Sequence, residues 1–337
     1  MRGFFILNSI KAIFVIIGTV IGAGFASGQE IYSFFSKYGE NGIIGITISA
    51  MLIGLIIYNI LKKTNQMDIK SYKELLEAIK IPNHIKTILN LIINIFLIIS
   101  FYIMVSGFAA YFKQEFNIPN FLTATIVVIL CYITFMKNID GITKVNTILV
   151  PILILVIISL GLKANIPYII TNIDITNIEL SSNWIIKCIE YASYNSILLI
   201  PILISLKNYT LNKEKRISII VTIILFVLSI IIYLMMFNVQ ELSNMEIPLM
   251  YIANSSGNLF SLIYSLVIVF AIYTTMISAG YSFLNNCTKN PKNYKTLAMV
   301  ICISAIFISN LSFSKLVNLT YPVFGILGII QLICFRQ

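Results

Sequence analysis

Gly18-Thr19-Val20-Ile21-Gly22-Ala23-Gly24-Phe25-Ala26-Ser27-Gly28 lies inside a long run that begins near Ser9 and ends near Lys37. On a helix of 3.6 residues per turn, Gly18 and Gly22 share one face while Gly24 and Gly28 fall on nearly the opposite one. A close-packed G-x-x-x-G crossing needs glycine on one side only. Glycine on both sides, each costing about 1 kcal/mol against helix, predicts an unwound segment within a membrane span. Such a break exposes backbone N–H groups where the outer half starts and carbonyls where the inner half ends. At membrane depth those groups are tolerated only where they line a cavity. With the helix dipoles assisting, the two ends suit an anion and a cation, such as a carboxylate and a sodium ion.

The rest of the chain calls for the same medium. Its 337 residues are 58% hydrophobic and 11% charged, whereas soluble domains carry about 25% charged residues. Runs long enough to cross the hydrocarbon predict ten spans, at about 9–37, 41–61, 86–112, 120–136, 143–162, 184–206, 217–237, 258–284, 294–311 and 317–335. No stretch between them is long or polar enough for a soluble domain, so residues 1–337 read as a single transmembrane domain. An N-terminal signal peptide is not expected, because its removal would leave nine spans and upset the charge alternation.

The formal net charge of +10 does not point to nucleic acid, because the cations are sorted by loop. With the N-terminus inside, 18 of the 23 Lys and Arg fall at cytoplasmic ends, among them Lys80, Lys289 and Arg336. Lys37, Lys113, Lys163, Lys187 and Lys315 remain outside. The positive-inside rule then puts both termini in the cytoplasm.

Residues 9–162 and 184–335 each hold five spans. An odd number of spans per half turns the second half upside down relative to the first, the layout of an inverted repeat. Between spans 2 and 3, Ile69, Tyr72, Leu75, Leu76 and Ile79 share a helical face opposite Lys70, Lys73, Glu74, Glu77 and Lys80. This predicts a helix lying on the cytoplasmic membrane surface, with Ser71 and Glu74 at capping-box spacing. Cys131, Cys188, Cys287, Cys302 and Cys334 are scattered and odd in number, which suits buried apolar thiols and neither disulfides nor a metal site. The single histidine, His84, falls in a cytoplasmic loop, and no His-Glu, Asp-rich or Ser-His constellation lies at membrane depth. The chain is not expected to be an enzyme.

The segment from Gly18 to Gly28, with Gln29-Glu30 and Tyr38-Gly39-Glu40-Asn41-Gly42 after it, resembles the first-helix region of the amino acid, polyamine and organocation (APC) transporter superfamily with the LeuT fold. Within that superfamily the chain looks like the bacterial YkvI-type membrane proteins. The resemblance implies an all-α integral membrane fold of ten transmembrane helices in a five-plus-five inverted repeat, with helices 1 and 6 broken at the centre. It also implies a cation site between spans 1 and 8. Ala271-Ile272-Tyr273-Thr274-Thr275 is similar to the family's motif on span 8, which makes the oxygens of Ala271, Thr274 and Thr275 sodium ligands together with the carbonyls of Gly18 and Ile21. Some members replace sodium with a lysine on span 5 and run on protons. Here the body of span 5 has no lysine, which favours sodium over a proton as coupling ion.

By the same resemblance Ala23, Gly24 and Phe25, together with Tyr191, Ala192, Ser193, Tyr194 and Asn195 on span 6, face the substrate, and Tyr102 on span 3 closes the pocket. Span 6 has no glycine at its centre, though Ser and Asn leave helices readily. Glu30 and Glu190 are the carboxylates within spans, where a charge is a functional candidate by default. Helical rise puts the Glu30 backbone roughly 9 Å beyond Gly24, which predicts a gating or coupling role and not direct contact with the ligand. Glu190 has Lys187 one turn away.

These readings predict a secondary active transporter in the bacterial inner membrane that takes up an amino acid or similar small zwitterion by sodium-coupled alternating access. The alternative is a non-transporting receptor of the same fold, like a spore-germinant receptor subunit. Beyond the small-molecule substrate and the lipid bilayer no partner is expected. Oligomeric state is not encoded in any recognisable signal.

Overall fold

The computed structural model describes residues 2–79, 81–163, 182–237, 248–288, 290–311 and 313–335. Lys80, Lys289 and Arg336, which enter the charge count above, lie outside them. Every regular element among the described residues is helical. The chain opens with α1 (Arg2–Val20), α2 (Ala23–Ala26) and α3 (Gln29–Phe34), then a 3-10 turn (Ser36–Tyr38) and α4 (Asn41–Gln66). There follow α5 (Tyr72–Glu77), α6 (Asn83–Phe116), α7 (Asn120–Phe135) and α8 (Asn138–Lys163). The remainder forms α9 (Ser182–Ser205), α10 (Lys207–Thr210), α11 (Glu214–Met236), α12 (Pro248–Ser255), α13 (Asn258–Cys287), α14 (Pro291–Ile308) and α15 (Phe313–Phe335).

Six of these helices are long and apolar enough to cross a membrane: α4, α6, α8, α9 from Trp184, α11 and α13. The 34 residues of α6 span about 50 Å at 1.5 Å per residue. That exceeds the hydrocarbon thickness, so its polar ends, Asn83–Lys86 and Lys113–Glu115, stand in the interfacial zones. Asn117, left-handed at φ 55°, terminates it.

Polarity is inverted relative to a soluble protein. Leu55, Leu91, Leu155, Leu262 and Phe307 are exposed on the surface of the bundle, while Thr19, Asn146, Ser193, Asn195, Thr274 and Thr275 are buried within it. An apolar belt of this extent is incompatible with water and fits lipid. Inside, α1 packs against α8 and α13, α4 against α9 and α11, and α9 against α15.

Two expectations need correction. The span-6 region is one unbroken helix, Ser182–Ser205. Its polar centre stays helical because the side chains bond back along it: Asn195 Nδ2 donates to the Tyr191 carbonyl at 2.9 Å and Ser196 Oγ to the Ser193 carbonyl at 2.6 Å. No residue there has the glycine freedom that interrupts α1. The second correction concerns α5. Ser71 caps it by accepting from Glu74 N at 3.3 Å, as the spacing predicts. Its apolar face, however, is covered by protein and not lipid, with Ile69, Tyr72, Leu75, Leu76 and Ile79 all buried and Tyr72 edge-on to Phe335 of α15.

Candidate functional site

The glycine-rich segment folds as two closely spaced interruptions. Gly22 is extended (φ −91°, ψ −167°), and its N–H turns to the Val20 carbonyl at 2.9 Å. In an unbroken helix that N–H would serve the carbonyl of Gly18, four residues back. The Gly18 carbonyl instead receives the hydroxyl of Thr275, from α13, at 3.3 Å. Gly22 is required at this approach, since a Cβ there would stand 2.9 Å from Thr275 Oγ1.

Four hydroxyls gather at the crossing of α1 and α13, all buried. Thr274 Oγ1 donates to the Ala271 carbonyl at 3.1 Å and Ser278 Oγ to the Thr274 carbonyl at 2.9 Å. Thr19 Oγ1 lies 2.8 Å from the Val15 carbonyl and 3.1 Å from Ser278 Oγ. The structure therefore joins the two helices through Thr275 at Gly18 and Ser278 at Thr19, while Ala271 and Thr274 are bonded to each other along α13 and Ile21 is buried in the adjoining turn. The donor set is neutral oxygen, the chemistry that suits a hard cation. Among the described residues no group of three or more His, Cys, Asp or Glu offers an alternative metal site.

The second interruption is at Gly28, whose left-handed φ of 81° leaves two carbonyls to be satisfied by other elements. Tyr264 of α13 donates its hydroxyl to the Ala26 carbonyl, and Leu249 N of α12 donates to the Ser27 carbonyl at 3.0 Å. A side chain at Gly28 would run into Leu249 Cγ at 2.7 Å.

Between the interruptions α2 is a single buried turn. Because the chain redirects at Gly28, the Glu30 carboxylate folds back over it: a Cβ on Gly24 would stand 2.2 Å from Glu30 Oε1. Glu30 is 3% exposed and accepts a hydrogen bond from the Tyr194 hydroxyl at 3.3 Å. The expected 9 Å separation is thus overturned, because helical rise does not carry through a left-handed residue.

Not every expected residue joins this cluster. Tyr191 packs on the residues that follow the second interruption, its ring edge-on to Phe34 and Phe35 at 5.3 and 5.0 Å. Ala192 and Ser193 point elsewhere, into a groove of about 410 Å³ shared with Leu52, Asn59 and Lys63 of α4, and the Ser193 carbonyl abuts Gly328 of α15. An unbroken helix cannot present five consecutive side chains to one ligand. Asn195 is buried on its own helix. Tyr102 shares a 2.8 Å hydrogen bond with Ser304 Oγ of α14, and Glu190 forms an ion pair with Lys187 and faces Gly325.

One helix, α1, is interrupted beside buried hydroxyls of α13. The chain shares the fold of solved membrane transporters. It superposes on a Na+-coupled sialic acid symporter in a substrate-bound outward-open state with TM-score 0.66, covering 95% of this chain and 76% of that one at 16% identity. An Eremococcus coleocola manganese transporter gives 0.55, covering 98% and 70% at 13% identity. A nucleobase-cation-symport-1 family transporter closed around bromovinylhydantoin gives 0.55, covering 95% and 76% at 12% identity. In sequence the chain is 25% identical over 315 residues to the Bacillus subtilis protein "Uncharacterized membrane protein YkvI", covering 93% of this chain and 90% of that protein. It is 27% identical over 331 residues to "Uncharacterized protein YyaD" of the same organism, covering 96% and 95%. No protein-family profile matches it.

Sequence reasoning missed Thr19, Ser278 and Tyr264. Thr19 stands between two residues that were singled out, and Ser278 falls one turn beyond Thr274. Each polar residue at membrane depth is a signal in its own right.

Proposed function

We propose that this protein is a secondary active transporter that couples sodium entry to uptake of an amino acid or similar small zwitterion by alternating access. It is not an enzyme. The observation that carries the reading is the interruption at Gly22, which frees the Gly18 carbonyl toward Thr275 and assembles neutral oxygens from two helices in a buried setting. Ten spans, arranged as inverted repeats of about 9–162 and 184–335 within one transmembrane domain, place both termini in the cytoplasm of a bacterial inner membrane. Sodium takes the oxygens of Gly18, Ile21, Ala271, Thr274 and Thr275. The substrate lies against Ala23, Gly24, Phe25, Tyr191 and Tyr194, and its ammonium end meets the carboxylate of Glu30, which is buried against Gly24.

The purified protein in liposomes is expected to accumulate one or more labelled amino acids when sodium is high outside, and not when potassium replaces it. Saturable binding without any flux would sink the transporter reading in favour of a receptor.

The cation ligands have their own test. Thr274→Val and Thr275→Val together keep side-chain volume and remove two oxygens. The sodium concentration for half-maximal uptake is expected to rise about tenfold or more, the equivalent of 1.4 kcal/mol. Uptake indifferent to sodium but driven by a proton gradient would overturn the sodium assignment.

A further inference from the structure

Asn146 lies in α8, the helix that packs against both α1 and α13, and none of its surface is exposed. Its Nδ2 donates to the Ile142 carbonyl at 2.9 Å. That bond fixes the amide, since the flipped arrangement would set two acceptor oxygens against each other. The oxygen end, Oδ1, has no hydrogen-bond partner among the described residues. A buried amide oxygen without a partner is costly wherever water is excluded, so its retention calls for a ligand.

The direction of Oδ1 identifies the kind of ligand. It is pressed against Gly18: a Cβ on that residue would stand 1.9 Å from Oδ1 and 2.8 Å from Val150 Cγ2. Gly18 is also the residue whose carbonyl meets Thr275 Oγ1 at 3.3 Å. Glycine at 18 therefore admits the amide of a third helix to the edge of the oxygen cluster between α1 and α13. A side-chain amide oxygen is a hard, neutral donor of the kind that coordinates hard cations.

We propose that Asn146 Oδ1 is a ligand of the cation held between α1 and α13, so that the site draws on three helices. This rests on the cation site proposed above. Binding then clamps α8 to α1, and the ion supplies the partner that Asn146 Oδ1 lacks among the described residues.

The test is thermal unfolding of the purified full-length protein in sodium, lithium and potassium chloride at constant ionic strength. Ligands that bind only the folded state raise its stability by mass action. The wild-type protein is expected to show a saturable, sodium-selective rise. Asn146→Leu is expected to raise the half-saturating sodium concentration about tenfold and to change the sodium-to-lithium preference. Asn146→Asp is expected to lower it severalfold at pH 8 and to make it pH-dependent, because a carboxylate binds the ion more strongly than an amide once deprotonated. If Asn146→Leu does not fold, Asn146→Asp decides: an unchanged, pH-insensitive midpoint overturns the proposal. A midpoint that Thr275→Val shifts but neither Asn146 variant does overturns Asn146 while the cation site stands, as expected if only a water satisfies Oδ1. No sodium-specific stabilisation of the wild-type protein overturns both.

Discussion

Gly24→Ala is expected to abolish uptake while leaving the protein folded and inserted in the membrane. The added methyl would stand 2.2 Å from Glu30 Oε1 and 2.7 Å from both Cδ and Cγ, so the carboxylate must leave its seat. Glu30 is a flexible side chain, and the strain is relieved by moving it and not by unwinding α2. Loss of function therefore greatly exceeds loss of stability. Moving a binding group by an ångström in a preorganised site costs on the order of 100-fold, and Gly24→Leu, with a side chain projecting further, is expected to be as severe. Gly24→Ala combined with Glu30→Ala is expected to restore the unfolding temperature without restoring uptake, which separates the steric from the chemical effect. Wild-type uptake by Gly24→Ala would rule out the seat of Glu30 on Gly24 as part of the transport path.

Much of the architecture follows from apolar periodicity, because in a membrane each helix must satisfy its own backbone and so announces its length in the sequence. The spans expected at 41–61, 86–112 and 258–284 are helices Asn41–Gln66, Asn83–Phe116 and Asn258–Cys287, each extended by polar residues that protrude past the hydrocarbon. The interruption of α1 was legible because a single packing seam does not need glycines on opposite faces. Side-chain placement was less legible. A polar stretch such as Ser193-Tyr194-Asn195-Ser196 reads the same whether its side chains bind a ligand or bond back to their own helix, and here Asn195 and Ser196 do the latter. The position of Glu30 depended on the backbone angle of one residue, Gly28, which spacing alone does not reveal. Asn146 gave only the weak signal of a lone amide in an apolar run, and its importance emerges from the residue it faces across the helix pair.

Glu30→Gln is expected to weaken equilibrium binding of the substrate and its uptake by the same factor. The substitution keeps the shape of the side chain, so Gly24 stays covered and the Tyr194 hydroxyl, which donates to Glu30 Oε1 at 3.3 Å, still finds an acceptor. Only the charge is lost. A hydrogen bond to a charged group is worth about 1.5–3 kcal/mol, which corresponds to roughly 10- to 100-fold in affinity. If the carboxylate holds the ammonium end of the solute, that factor enters the ground state of every transport cycle and appears in both measurements. A carboxylate that only guards the entry path would behave differently, slowing uptake while leaving binding intact. Tyr194→Phe gives a graded control, since it removes a neutral donor to the same carboxylate and is expected to cost severalfold in both quantities. Binding by calorimetry and uptake in liposomes, on the same purified variants, decide between the two roles: uptake that falls while binding holds would return Glu30 to the vestibule.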